Sequence, residues 1–139
     1  GKKILVKIFL PWARSRMGIF QSSLHKKEQR EENRNMAKAI VDEAIAANSV
    51  MVFSKSYCPY CIKAKRALES VLPREKISVM ELESRADCAD IQDYLMSITG
   101  GRSVPRVFVA GNFIGGGDDT EALVRSGKLK AMLEQNNII

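Results

Sequence analysis

A chain of 139 residues, 45% hydrophobic and 27% charged, is long enough to bury one core without disulfide staples, and its ordinary composition excludes a collagenous, membrane-embedded or wholly disordered protein. The formal charge of +6 sits at one end: residues 1–35 carry nine Lys or Arg against three acids, whereas residues 36–139 carry thirteen of each sign. The larger part of the chain therefore gives no electrostatic reason to expect nucleic acid, and three cysteines, two of them three apart, do not make the framework of a small secreted disulfide protein.

No acid precedes Glu28, and the N-terminal segment mixes Lys and Arg with the apolar runs Ile4 to Val6 and Ile8 to Leu10. That pattern reads as an organelle transit peptide or as an unstructured tail. The apolar stretch is broken by Lys7 and stops near Pro11, well short of the roughly 20 residues of a membrane helix, so no membrane association is expected. Residues 28–35 contain no apolar side chain and are expected to be a linker or an exposed helix. This places a boundary near Met36, itself a candidate initiator: residues 1–35 are a basic extension and residues 36–139 a single domain. A reducing, cytoplasmic setting is expected, or a mitochondrion or other organelle if residues 1–35 act as a targeting segment.

From Met36 to Ala47, Ala37, Ile40, Val41, Ala44 and Ile45 recur at helical spacing, with Asn48 as terminator. Val50 to Phe53 is a short strand leading into Cys58, after which Pro59 suits the first position of a helix that Pro73 stops. Ile77 to Leu82 reads as a second strand, and Ile91, Tyr94, Leu95 and Ile98 mark a helix from Asp87 to Thr99 ended by Gly100 and Gly101. Arg106 to Val109 and Phe113 to Ile114 flank the tight-turn sequence Ala110-Gly111-Asn112. Asp118 or Asp119 caps a final helical region that runs to about Gln135 and is interrupted near Gly127. A crossover helix makes the first two strands parallel and a tight turn makes the last two antiparallel, which calls for a mixed sheet covered by helices on both faces.

Cys58-Pro59-Tyr60-Cys61 lies where strand gives way to helix, and there the unpaired backbone N–H groups and the helix dipole stabilise a thiolate. A free cysteine titrates near 8.5, and such a setting lowers that to between about 3.5 and 7.5. Lys55, three residues earlier, adds a nearby cation. Cys61, one turn further in, is expected to be more buried and less ionised, so Cys58 attacks and Cys61 resolves. Structural zinc would need two further ligands, and the remaining Cys88 and His25 do not supply them, so no metal site is expected.

Residues 36–139 resemble a dithiol glutaredoxin. The likeness rests on Lys55, Cys58-Pro59-Tyr60-Cys61, Ile91-Gln92-Asp93-Tyr94-Leu95, Ser103-Val104-Pro105 and Gly115-Gly116-Gly117-Asp118-Asp119, in the family's order and spacing. It implies an α/β, thioredoxin-like fold with a central four-stranded mixed sheet, Pro105 in the cis form facing the cysteines, and glutathione as co-substrate with no tightly bound cofactor. It further implies that Lys55, Gln92 and Arg102 meet the glycine carboxylate of glutathione, that Val104 before Pro105 offers its backbone to the peptide, and that Tyr60 walls the groove. Gly116, Gly117 and Asp118 would receive the γ-glutamyl end.

The partners so implied are glutathione or a related small thiol, together with glutathionylated and disulfide-bonded proteins, acted on by a monomer. Two departures stand out: Ser103 replaces the family's common threonine, and Gly117 replaces a frequent third cysteine, which is expected to loosen the loop. A dimer holding a [2Fe-2S] cluster on two Cys58 thiolates and two glutathiones is the alternative, and the stiffening Pro59 argues against it. A thioredoxin-type reductase would have Trp where Tyr57 stands and Gly-Pro between the cysteines. Cys88 reads as incidental.

Overall fold

The computed structural model describes residues 11–139, with side chains from residue 21 onward, so the expectations for residues 1–10 lie outside the described part. The chain divides into two compact units, residues 1–33 and 34–139. In the first unit the described backbone is helical from Pro11, and the side chains from Gln21 to Arg30 are exposed. The stretch 28–35, expected as linker or exposed helix, is helix. Its Glu, Gln and Arg residues are good helix formers, and the Gln29 amide donates to Asn33 one turn on at 3.1 Å. The first helix, α1, therefore runs over Pro11–Ala47 rather than starting at Met36. Among the described residues no helix is long and apolar enough to cross a membrane.

In the second unit β1 (Val50–Ser54), α2 (Pro59–Glu69), β2 (Ser78–Glu81), α3 (Cys88–Thr99), β3 (Arg106–Val109), β4 (Asn112–Gly115), α4 (Gly117–Arg125) and α5 (Lys128–Gln135) follow in order. The strands form one sheet in the order β2-β1-β3-β4. β1 pairs parallel with β2 and antiparallel with β3, which pairs antiparallel with β4. This is the mixed four-stranded arrangement that the resemblance implies. The turn between β3 and β4 sets Ala110 and Gly111 at φ of 50° and 83°, the paired positive values that suit a two-residue hairpin.

Period-two alternation sorts the strands between two cores. Val50 and Val52 of β1 and Val107 and Val109 of β3 pack with Ala64, Leu68, Leu129 and Leu133 beneath α2 and α5. Met51, Phe53 and Phe108 point the other way, onto Ala37 and Val41 of α1 and Ile91 and Leu95 of α3. Two helix ends differ from expectation. α2 stops at Glu69 rather than near Pro73, because the Ser70 N–H is shared between the carbonyls of Arg66 and Ala67, tightening the last turn. α4 begins after Gly116, whose N–H donates to Asp119 Oδ2 at 3.1 Å, so Asp119 caps from inside the first turn. The interruption at Gly127 (φ 82°) separates α4 from α5.

Because β1 and β3 are antiparallel, the C-terminal end of β1 and the N-terminal end of β3 lie at the same end of the sheet, which is where the cysteines and Pro105 meet.

Candidate active site

Cys58 is the N-cap of α2, with extended backbone (φ −80°, ψ 122°), and Pro59 takes the first helical position, where its missing N–H costs nothing. The loop ahead of it is pinned twice. The Cys58 N–H donates to the Lys55 carbonyl at 3.0 Å, and Ser56 donates from its backbone (3.3 Å) and from its hydroxyl to the Glu83 carboxylate. Cys58 is half-buried, whereas Cys61 is fully buried and accepts the Lys55 N–H at 3.4 Å.

The two thiols are driven apart. Burial pushes Cys58 up, but hydrogen bonds from the Cys61 backbone and side chain and from the Tyr60 backbone, together with the Lys55 charge, outweigh it, and its pKa falls below the ordinary thiol value. Burial also pushes Cys61 up; the Lys55 N–H and the Ser54 hydroxyl oppose this, Cys58 reinforces it, and the result is a raised pKa. An accessible, acidic thiol thus stands before a buried, less acidic one.

The peptide bond Val104–Pro105 is cis, and the Val104 carbonyl lies 3.8 Å from Cys58 Sγ, close enough for the protonated thiol to donate to it. A side chain on Gly116 would come within 3.6 Å of the Pro105 carbonyl, and one on Gly117 would meet the Tyr60 carbonyl at 2.6 Å. Gly117 is therefore the buried first residue of α4, seated on the backbone of α2 rather than in an open loop. Tyr60 and Tyr57 are 54% and 68% exposed beside Cys58, enough apolar area to form a wall for a bound chain.

The structure thus gathers Cys58, Cys61, Lys55, Tyr60, Val104, Pro105, Gly116 and Gly117 at one end of the sheet. Three of the expected ligands are partly engaged elsewhere. Gln92 is buried; its amide donates to the Arg102 carbonyl at 2.7 Å and its oxygen accepts from Cys88 at 3.3 Å, so it braces the loop before Pro105. Arg102 pairs with Asp93 at 2.9 Å and Asp118 with Lys63 at 2.8 Å, both at the surface. Exposed pairs of this kind cost little to exchange for a ligand.

Sequence reasoning missed Glu83, which holds the loop before Cys58, and Ser54, buried next to Cys61. The hydroxyl closing an otherwise apolar five-residue strand was the available sign of the second. Among the described residues, no group of three or more His, Cys, Asp or Glu is arranged to hold a metal ion.

The glutaredoxin family model matches residues 50–114. Glutaredoxin-C2 of Arabidopsis thaliana is 41% identical over 104 residues, which cover 75% of this chain and 92% of that protein. The crystal structure of oxidized glutaredoxin 2 from Chlamydomonas reinhardtii superposes with a TM-score of 0.73 at 50% identity, covering 76% of this chain and 98% of its own. That of the buckwheat glutaredoxin-glutathione complex gives 0.70 at 37% identity, covering 76% and 94%.

Proposed function

The chain belongs to the glutaredoxin family and is a glutathione-dependent thiol:disulfide oxidoreductase, and we propose that Cys58 performs the exchange while Cys61 resolves it. The observation that carries the assignment is the contrast between the two sulfurs: Cys58 is reachable, lowered in pKa and 3.8 Å from the Val104 carbonyl, whereas Cys61 is buried and raised.

In this reading the Cys58 thiolate attacks the glutathione sulfur of a protein mixed disulfide. The bond to the protein sulfur breaks, the protein thiol departs, and Cys58 is left joined to glutathione. A second glutathione thiolate attacks that bond, frees Cys58 and leaves as glutathione disulfide. With a protein disulfide, Cys61 instead attacks Cys58 and closes the intramolecular bond, which glutathione reopens. The lowered pKa of Cys58 serves both directions, because it raises the thiolate fraction and makes Cys58 a better leaving group.

Glutathione would lie along the Val104 backbone as an added strand, its γ-glutamyl end toward Gly117 and Asp118, its glycine carboxylate toward Lys55 and Arg102, with Gln92 bracing the loop beneath. The protein substrates are glutathionylated and disulfide-bonded proteins, and the acting species is a monomer with no resident cofactor. We place it in the cytoplasm, or in an organelle if residues 1–35 direct it there. A fusion starting at residue 1 that distributes in the cytosol like one starting at Met36 rules the organelle out.

The decisive assay is glutathione-dependent reduction of the mixed disulfide of glutathione and 2-hydroxyethanethiol. Cys58→Ser abolishes turnover and Cys61→Ser retains it; retention by Cys58→Ser, or loss in both, overturns the assignment.

A further inference from the structure

Lys55 has to hold a carboxylate at a fixed place, yet it stands in the loop between β1 and α2 and not on a helix or strand. A lysine carries its ammonium on a flexible four-carbon stem, so the charge is placed only as well as the backbone beneath it. The loop therefore needs anchors.

The fold supplies one from the neighbouring strand. β1 and β2 are parallel, so the chain leaves both at the same end of the sheet. The Leu82 N–H donates to the Ser54 carbonyl at 2.8 Å, which carries the pairing one residue past the register partners Ser54 and Glu81. Leu82 is fully buried in the core with Ile91 and Leu95, so Glu83 starts from a fixed point beside the loop. Its carboxylate reaches the Ser56 N–H, with both oxygens at 3.3 Å, and also accepts from the Ser56 hydroxyl. The Ser56 hydroxyl above all, with the Lys65 charge acting in the same direction, holds the Glu83 carboxyl below its ordinary 4.5, so it is an ionised acceptor at neutral pH.

Both peptide planes that flank Lys55 are thereby held. The plane before it is tied to Cys61 Sγ by the Lys55 N–H at 3.4 Å. The plane after it is tied on one side by the Cys58 N–H, which donates to the Lys55 carbonyl at 3.0 Å, and on the other by the Ser56 N–H on Glu83. Two of these three anchors belong to the cysteines, whose sulfurs change their bonding during turnover. Glu83 is the one that takes no part in the exchange. Among the described residues Lys55 forms no ion pair, so its charge is uncommitted, unlike those of Lys63 and Lys65.

We propose that Glu83 is a positioning residue for the reaction: by fixing the peptide after Lys55 through Ser56, it directs the Lys55 ammonium onto the glycine carboxylate of glutathione and sets how strongly that carboxylate is recognised. This rests on Lys55 being a ligand of that carboxylate. An anion at Glu83 would repel the glycine carboxylate if the two met, so its contribution runs through the loop and not through contact with the substrate.

The test compares kcat/KM for two mixed disulfides of 2-hydroxyethanethiol, one with glutathione and one with glutathione whose glycine carboxylate has been made a carboxamide. Wild type should prefer the carboxylate by about tenfold, the worth of one charge-assisted hydrogen bond. Lys55→Met should cut the preference to about threefold, the remainder coming from Arg102. Glu83→Ala should bring it to about the same value while changing the rate on the carboxamide less than about twofold, and the Lys55→Met, Glu83→Ala double variant should fall no further. Glu83→Gln, which keeps one oxygen for Ser56, should lie between Glu83→Ala and wild type.

A wild-type preference in Glu83→Ala overturns the inference. So does an equal loss on both substrates, which marks a purely structural role, and so does a further fall in the double variant. Wild-type protein with no preference, or Lys55→Met that keeps it in full, overturns the reading of Lys55 as the carboxylate ligand, and the inference with it.

Discussion

The Lys55 N–H points at Cys61 Sγ across 3.4 Å, so the inner sulfur is held by the end of β1 while the outer one sits at the start of α2. Their unequal acidity follows from that division. Alkylation of the reduced protein by iodoacetamide should therefore label Cys58 with a midpoint below the free-cysteine value of about 8.5, because a lowered pKa keeps the thiolate present at lower pH. Cys61 should resist until well above it. Mass spectrometry of peptides quenched along the pH series checks the order, and preferential labelling of Cys61 would refute it.

Gly117 meets the Tyr60 carbonyl so closely that a β-carbon would lie 2.6 Å from it. The obstacle is backbone, which cannot swing aside. Gly117→Ala should cost about 1–3 kcal/mol in urea unfolding. It should also raise the KM for glutathione more than it lowers kcat, since α2 and α4 are pushed apart beside Tyr60. Unchanged stability would mean the helices separate freely.

Leu68 is fully buried on the face of α2 that meets Val50, Val52 and Leu129. Leu68→Ala should destabilise by about 2–5 kcal/mol, read from the urea midpoint at constant slope. Because α2 carries both cysteines, the same variant should lose activity on warming before the wild type does.

Asp42 joins α1 to α3, accepting from Lys38 at 2.9 Å and from the Tyr94 hydroxyl at 2.5 Å. The Lys38 bond first, then that of Tyr94, lowers the Asp42 pKa below its ordinary 3.8. A depressed carboxyl contributes stability above its unfolded value and loses it as pH falls through the folded one. Asp42→Asn should thus lower the thermal midpoint at pH 7 by a few degrees at most, since the side chain is 46% exposed, and the deficit should shrink as pH drops below the ordinary value. A deficit that grows in acid would reverse the sign assigned here.

The sequence disclosed the strands and core helices because their apolar residues recur at the right period, as Ile91, Tyr94 and Leu95 do on α3. The helical stretch before Met36 was not distinguished from a linker: its charged residues favour helix locally, but no apolar stripe announces it. Cys58 and Cys61 were legible because their spacing carries its own chemistry. Gln92 was legible as a position and not as a role, since its bonds to Cys88 and the Arg102 carbonyl depend on how the loop before Pro105 folds back. Ser54 and Glu81 become neighbours when β1 and β2 pair in register, which no local pattern states.

The hairpin turn at Ala110 and Gly111 lies where β3 ends beside Val50, the start of β1, at the end of the sheet opposite the cysteines. That separation makes the turn a port for engineering. A reporter domain or affinity tag spliced between Ala110 and Gly111 would extend away from the thiols, leaving both the groove and the chain termini unaltered.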